Sequence, residues 1–599
     1  MSTSQIFKAH RVAVAILTLS SLGSASLRVP YGRSEGHWEF GSSASTVSTI
    51  EAKAASSCRQ LPGDKAWPSD EAWNMLNTTI GGRLIAAKPL AKVCYSDDGQ
   101  RINNTACAAL QQEWSVVDPY FASPVNVMSP YWLNNTCSPF PGSNGTCTLG
   151  NLASYAINVT EVSDVQAGLA FVKEHNVRLT IKNTGHDMLG RSSGRGSLAL
   201  WTHGLKNISF SNYTSPLYTG PAAKLGAGVQ GLDVIEAASA YGLRVAAGSC
   251  PTVGVAGWLS GGGHGPLSGT YGLGADGALE FEVVTTEGKH MVASPTQNPD
   301  LYWALSGGGS GNYAIVISMT VKAHADSVVA GSAFMFLNTN DTAFWAAAEA
   351  WLRYLLVLDV EYPTLATDIT FTSELFFLNY ATLADQTAAQ LNAALRPFLD
   401  EVASLGLDLI LNETASHATF AEHYQYFTGV VPYAVNETLG NRLVPRETVR
   451  QNASELVNII RGITDDYSDA VLVFLGMNVE TQRLGVDATA NSVNPAWRDS
   501  LLLINMGLEL SPSADWNILR TQQAQVNSFQ DRFRGLMPHG GGYLNEGTYD
   551  NPEWRTDYFG ASYRRLASVK ARYDPDYTLW TETAVAGPQC PASSSRGWP

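Results

Sequence analysis

The sequence predicts an α+β protein with two packed domains, and three stretches carry that prediction. From about residue 155 the chain becomes periodic: AINVTEV alternates like a strand, VQAGLAFVKEHN sets Val165, Leu169 and Val172 on one helical side, and VRLTIKN alternates again. Farther on, GALEFEVVTTEGKHMVAS reads as two strands joined at Glu287 and Gly288. Beyond about residue 327, AFWAAAEAWLRYLLVL, DQTAAQLNAALRPFLDEVASLG and NASELVNIIRGI carry helical apolar spacing, with strand-like ATDITFTSELFFL and AVLVFLGMNVE between them. That alternation predicts a sheet with helices packed on one face.

Taken in chain order, residues 1–25 read as a secretory signal, because Lys8 and Arg11 precede VAVAILTL, and Gly23 and Ala25 offer small residues for cleavage. The apolar run is shorter than the roughly 20 residues a spanning helix needs, and no later stretch qualifies, so no membrane span is expected. Residues 26–130 lack a sustained period and are rich in Pro, Ser and Asn, which predicts an extended, disulfide-pinned region without a functional part. A first domain is expected over 131–326 and a second over 327–538. In the segment 539–599, Phe559, Tyr563, Leu566, Val569 and Tyr573 recur at helical spacing before Asp574 and Pro575 end the helix. A helix this aromatic must pack on something, and the first domain is the expected surface.

With 45% hydrophobic and 15% charged residues over 599 positions, the chain can bury a large core, which excludes a disordered scaffold. A net charge of −15 leaves no basic face, which excludes a nucleic-acid partner. Sequons at Asn77, Asn103, Asn134, Asn144, Asn158, Asn207, Asn212, Asn340, Asn412, Asn436 and Asn452 agree with the signal in predicting a glycosylated protein, secreted or in the secretory pathway. The seven cysteines are an odd number for an oxidising compartment. Spacing pairs Cys94 with Cys107 and Cys137 with Cys147, and leaves Cys58 to tie the N-terminal arm to Cys590. Cys250, inside GSCPTVG, is then left over.

Two familiar motifs fail on context. GAGVQG, from Gly226 to Gly231, matches a dinucleotide fingerprint, but Ala246 stands where the acidic ribose ligand belongs. GRSSG would make Ser192 a hydrolase nucleophile, yet a polar loop leads into it and a strand, SLALWTH, follows it. No metal site is expected: HExxH and CxxC are absent, and His186, His203, His264 and His290 lack ligand spacing. His186 differs from the others because IKNTGHDMLG sets it in a glycine turn after a strand. His186 and Cys250 are both nucleophiles able to attach to an electron-poor flavin ring. The glycine clusters at 254–277 and 307–311 let backbone approach such a ring, and the amides of NTG and GRSS suit an anionic pyrophosphate.

IKNTGHDMLGRSSGRGSLALWTH, GSCPTVGVAGWLSGGGHGPLSGTYGLGAD, NPDLYWALSGGGSGNYAIV and YLNEGTYDNPEWRTDYFGASYRRLASVKARYDPD together resemble the berberine-bridge-enzyme-like branch of the vanillyl-alcohol-oxidase flavoproteins, in its fungal FAD-linked form. The resemblance implies a PCMH-type FAD-binding domain of two subdomains over 131–326, an α+β substrate domain over 327–538 with an antiparallel sheet covered by helices, and a C-terminal segment, 539–599, returning to the FAD domain. It implies FAD bonded covalently to His186, with Cys250 as a second bond that some relatives lack. Asn183, Thr184, Gly185, Asp187, Arg191 and Ser192 would surround the pyrophosphate. Ser249, Val253, Gly254 and Gly257 would lie along the flavin, Ile315 and Val316 beside the adenosine, and Asn545 near the ribityl chain. Trp258 stands where many relatives carry a histidine, and Glu546 where plant members carry tyrosine, so Tyr543 and Glu546 are both candidates for the catalytic base.

The implied activity is that of an FAD-linked oxidase taking a hydride from an alcohol or amine carbon of a small organic molecule and passing electrons to molecular oxygen, with hydrogen peroxide as by-product. Its expected place is secondary-metabolite biosynthesis, with 10% aromatic residues favouring an apolar substrate. Oxidation of simple alcohols or carbohydrates is the alternative, and a non-catalytic flavin-containing metabolite-binding protein is the alternative of another class. A monomer is expected.

Overall fold

The strand Tyr155–Asn158 stops sooner than its alternating sequence, because the Asp164 carboxylate accepts hydrogen bonds from the amides of Thr160 (2.9 Å) and Glu161 (3.2 Å) and turns the chain into a helix. That helix, Val162–Glu174, opens on a reciprocal cap between Glu161 and Asp164 and buries Val165, Leu169 and Val172. The strand Arg178–Lys182 follows it into a four-stranded sheet, where Ser197–Trp201 pairs parallel with both Tyr155–Asn158 and Arg178–Lys182, and Leu84–Ala86 is antiparallel at the edge. In the computed structural model, residues 59–587 are described apart from 97–98, 100, 103, 129–135, 141–146, 430–436, 511–513 and 582. The predicted signal, Cys58, Cys590 and the sequons at Asn103, Asn134, Asn144 and Asn436 lie outside the described residues. Of the other sequons, Asn207, Asn212, Asn340 and Asn412 are exposed, and Asn77, Asn158 and Asn452 are half-buried.

A second sheet of five antiparallel strands runs in the order Ile208–Thr214, Thr219–Gly226, Ala314–Lys322, Ala278–Thr285, His290–Ala293. Its last pair is the expected hairpin, with Val284 opposite His290. The third sheet has seven antiparallel strands in the order Leu409–His417, Val329–Leu337, Leu375–Ala384, Ala366–Phe371, Ala470–Met477, Ser500–Glu509, Glu437–Pro445. The helices Asp341–Glu361, Ala388–Ser404, Arg446–Asp466 and Trp516–Leu536 bury Trp351, Phe398, Leu456 and Phe529 against one face of it. Period-two alternation sends Ile369, Phe371, Leu472, Phe474, Ile504 and Met506 into that core. Asp368, Val473, Leu475 and Asn505 face the other way, toward a cavity. Phe334, Trp351, Phe371, Phe376 and Phe474 of this domain pack in the helix-side core and do not line the cavity, so their number is no guide to the substrate.

The extended region expected over 26–130 is corrected where it is described. Ser69 caps a helix, Asp70–Thr79, whose Trp73 stacks on Tyr155 at 4.0 Å and whose Leu76 joins the core around Phe171. A second helix, Thr105–Glu113, is capped by Asn104. Each spans about three turns or fewer, too short to build a sustained period, so packing rather than propensity stabilises them. Disulfides join Cys94 to Cys107 and Cys137 to Cys147, leaving Cys250 as the free cysteine among the described residues.

At the C-terminal end the helix Tyr563–Tyr573 packs on Pro299–Leu305. The fully buried Lys570 donates to the carbonyls of Asn312 and Leu579 and to the Asp574 carboxylate, each at 2.6 Å. No helix among the described residues is long and apolar enough to cross a membrane.

Candidate active site

Lys182 ends its strand with the side chain turned inward, where the ammonium donates to the carbonyls of Tyr120 (3.1 Å), Ser123 (2.7 Å) and Thr184 (3.3 Å). The N-terminal region thereby holds the NTGHD turn from below, a part that its sequence did not reveal. Gly185 takes φ +94° there, and a Cβ would stand 3.1 Å from the Asn126 carbonyl, so only glycine suits the turn. Burial and the Lys182 charge push the His186 imidazole down to about 3, which keeps it neutral and nucleophilic at physiological pH. His186 Nε2 lies 2.9 Å from the Thr252 hydroxyl.

Thr252 belongs to the second turn, and Cys250 Sγ lies 3.4 Å from the same hydroxyl. Burial pushes the Cys250 thiol up, opposed by hydrogen bonds from Thr252 and from the Val253 amide. Tyr424 Oη donates to the carbonyls of Gly248 (3.0 Å) and Ser249 (2.7 Å), which pins the turn. The turn also explains why the dinucleotide fingerprint fails. The amides of Gly231 and Leu232, at the start of the helix Gly231–Ser239, already donate to the carbonyls of Val253 and Pro251 at 3.0 Å, leaving them unavailable to a phosphate. Gly226 and Gly228 serve close packing: a Cβ at either would stand 2.2 Å from a carbonyl, of Leu205 and His203 respectively.

A cavity of about 370 Å³ lies between these two turns and the seven-stranded sheet. It is lined by Asn183, Thr184, Gly185, His186, Asp187, Arg191, Ser192, Ser249, Cys250, Val253, Gly254, Gly257, Val316, Tyr543, Asn545 and Glu546. Of the sequence-predicted site residues only Ile315 does not line it. Strand alternation turns the Ile315 side chain into the core with Val284 while Val316 faces the cavity. Ser192 donates its hydroxyl (2.6 Å) and its amide (2.7 Å) to Asp187, so it is a turn residue; its loop joins two strands, as no nucleophile elbow does.

These residues fit FAD. Arg191 keeps Nε buried without a partner among the described residues, as a pyrophosphate oxygen requires, while its other nitrogens donate to the carbonyls of Ser310 and Thr583. Nothing lies within 4 Å of where a Gly257 Cβ would stand, which leaves room for a flat ring over the backbone. Gly254 and Gly261 admit the side chains of Asn183 and Asn545, whose atoms come within 2.2 and 2.1 Å of the positions those Cβ atoms would take.

The opposite wall is acidic. Glu546 accepts at both oxygens, from His264 Nε2 (3.1 Å) and Asn505 Nδ2 (2.7 Å). Tyr543 is buried edge-on to His264, with its hydroxyl taking a hydrogen bond from Asn545 Nδ2 at 2.9 Å. Burial and the Glu546 charge push its phenol far above the ordinary value. Asp368, which sequence reasoning missed, is raised to about 6 by burial, against a hydrogen bond from Asn379 Nδ2 at 2.9 Å. Glu437 is raised to about 7 by burial and the Glu509 charge on the paired strand. Asp368 and Asn505 carry no motif, and only the strand alternation around Asp368, a lone charge within ATDITF, hinted at a face turned to something polar; Thr252 and His264 lie inside GSCPTVGVAGWLSGGGHG, whose pattern assigned neither of them a role. Among the described residues no group of three or more His, Cys, Asp or Glu is placed to hold a metal ion.

Comparison with known proteins agrees with this geometry. The family described as FAD binding domain matches residues 153–294, and the family described as berberine and berberine like matches residues 542–586. The chain is 38% identical over 537 residues to the FAD-linked oxidoreductase patO of Aspergillus clavatus, covering 89% of this chain and 92% of that one. It is also 38% identical over 548 residues to the VAO-type flavoprotein oxidase VAO615 of Thermothelomyces thermophilus, covering 88% and 93%. The crystal structure of the VAO-type flavoprotein MtVAO615 from Myceliophthora thermophila superposes with a TM-score of 0.83 at 36% identity over 88% of this chain and 97% of that one. With its flavin-type cavity and these relatives, the chain belongs to the berberine-bridge-enzyme-like branch of the vanillyl-alcohol-oxidase flavoproteins and is an FAD-dependent oxidoreductase.

Proposed function

We propose that the protein is a secretory-pathway oxidase that removes a hydride from an alcohol or amine carbon of a small organic molecule of secondary metabolism and passes the electrons to molecular oxygen. The observation that carries this reading is the Thr252 hydroxyl, which gathers His186 and Cys250 at one side of a cavity whose other wall holds carboxyl groups. In this reading both nucleophiles bond the flavin. FAD, when bound, supplies the two-electron oxidant and the means of returning those electrons to oxygen as hydrogen peroxide.

The chain's own residues handle the proton. As the carbon gives up its hydride, the hydroxyl or amine proton must leave to a base, and the product is a carbonyl or an imine. Tyr543 is a poor acceptor while burial holds its phenol protonated, whereas Asp368 titrates near working pH, where a general base is most effective. Asp368 is therefore the proposed base, and Glu546, held by His264 and Asn505, positions the substrate. Residues 131–326 and 539–599 would hold the flavin, and 327–538 would supply the substrate wall. Patterned sequons and two disulfides support the secretory assignment, and the chain is proposed to act as a monomer.

Acid precipitation tests the attachment: yellow colour that stays in the pellet is expected, and a colourless pellet overturns the covalent reading. Anaerobic bleaching by a candidate substrate, then recovery in air with peroxide release, tests the oxidase. Bleaching that air does not reverse would make the protein a dehydrogenase.

A further inference from the structure

Asn505 is 8% exposed and lines the cavity, and its Nδ2 donates to Glu546 Oε2 at 2.7 Å. With the Glu546 oxygen accepting on one side, the amide turns its Nδ2 toward the carboxylate and its Oδ1 away from it. Its Oδ1 is thus fixed as a buried acceptor, and no described residue donates to it. A buried acceptor without a donor costs about 1–3 kcal/mol, so a ligand donor at this point recovers a deficit that the fold leaves open.

The rest of that wall has the same sign. Asp368 and Glu437 stand on the sheet and Glu546 beside Asn505, while Val473, Leu475 and Leu439 supply aliphatic surface among them. Among the described residues the one Lys or Arg lining the cavity is Arg191, on the glycine-loop side and bonded there to Ser310 and Thr583. Among the described residues the wall therefore presents acceptors and negative charge with no lysine or arginine to balance them. A carboxylate, sulfate or phosphate ligand would be repelled. A neutral hydroxyl brings a single donor, whereas an ammonium brings two or three and the missing charge.

We infer that the substrate is an apolar molecule carrying a primary or secondary ammonium group, seated with its N–H donors on Asn505 Oδ1 and the carboxylates of Asp368 and Glu546. The inference rests on the oxidase reading for its choice of cavity, and it selects the amine over the alcohol within that reading. Asn505 and Glu546 bind the cation, the aliphatic residues cover the apolar part, and Asp368 receives the proton that an ammonium must shed before its neighbouring carbon can lose a hydride.

Three isosteric probes test it on the flavin-loaded protein at pH 8, with binding read by calorimetry and by the shift of the flavin's visible absorption: benzylamine, benzyl alcohol and benzoate. Benzylamine should bind at least tenfold more tightly than benzyl alcohol, with benzoate weakest. Asn505→Leu should weaken benzylamine about tenfold and leave benzyl alcohol unchanged, and Asp368→Asn should narrow the gap between the two, with thermal melting as the check on folding. Equal binding of amine and alcohol, tighter binding of benzoate, or an Asn505→Leu loss shared by the alcohol overturns the inference. Binding needs no turnover, so the two readings separate: tight benzylamine binding without anaerobic bleaching supports the cation site and counts against an amine oxidase. Bleaching by an alcohol with no amine preference does the reverse.

Discussion

Tyr380 Oη lies 2.6 Å from Ser249 Oγ, which joins the seven-stranded sheet to the turn that carries Cys250. Tyr380 also sits opposite Asp368 on the neighbouring strand, where its hydroxyl opposes the rise that burial imposes on the carboxyl. Ser249, Tyr380 and Asp368 thus link the proposed flavin side to the proposed base, through a hydrogen bond and a strand pairing. Replacing Tyr380 by Phe removes a donor from the charged form of Asp368, so the Asp368 pKa should rise by about one unit. The acid limb of the kcat/KM profile should move up in pH by that amount, while a purely structural role would lower stability and leave the limb in place.

Asp368→Asn should lower kcat/KM by roughly 10²–10⁴-fold, the range for loss of a general base. In the unaltered protein the rate should rise with pH through about 6 as Asp368 ionises, and that limb should vanish in the variant. The stability effect has the opposite sign. A carboxyl whose folded pKa is raised leaves the native state holding more protons than the unfolded chain between about pH 4 and 6, so its contribution to stability is fullest below that window and is lost as pH rises through it. Melting temperatures of Asp368→Asn and the unaltered protein should therefore converge below about pH 4, separate between about 4 and 6, and keep that gap at higher pH.

Cys250→Ala should leave the flavin attached through His186 alone, and the double replacement with His186→Ala should release it on acid precipitation. Thr252→Val, which keeps the shape and removes the shared hydroxyl, should slow attachment at both residues, measured as the rise of acid-stable colour after adding FAD to flavin-free protein. Unchanged rates would show that Thr252 only packs.

Asp574→Ala leaves Lys570 as an unpaired buried ammonium and should cost about 3–5 kcal/mol. Chemical denaturation would show it as a lower midpoint, with the segment from Thr578 to Val585 becoming protease-sensitive because Asp574 also accepts the amides of Thr578 and Leu579. Gly261→Ala should act more locally. A Cβ there displaces Asn545, and activity should fall with little change in melting temperature.

Much of the site was legible in the sequence because it is built from contiguous turns. NTGHD and GSCPTVG each need glycine or a short polar run to bend the backbone, and such local demands are written in consecutive residues, which is why the linear motifs pointed to His186, Cys250 and neighbours such as Asn183 and Gly254 that line the cavity, but not to Met188, Ser260 or His264, which line it too. The α+β architecture, the 287–288 hairpin and two disulfides were legible for the same reason. What the sequence could not settle lies where strands distant in the chain pair. Asp368, Asn505 and Glu437 share one sheet face only because three strands, each residue almost seventy positions from its nearest partner in this set, align in register, a non-local arrangement with no periodic trace. Ile315 illustrates the same limit, since which of two adjacent β-branched residues faces the ligand depends on sheet packing. Tertiary structure alone decided that Phe371 and Phe474 face the helices rather than the cavity, that Thr252 joins the two nucleophiles, and that the wall opposite them is acidic, because each of these follows from burial and register between segments that the chain order keeps apart.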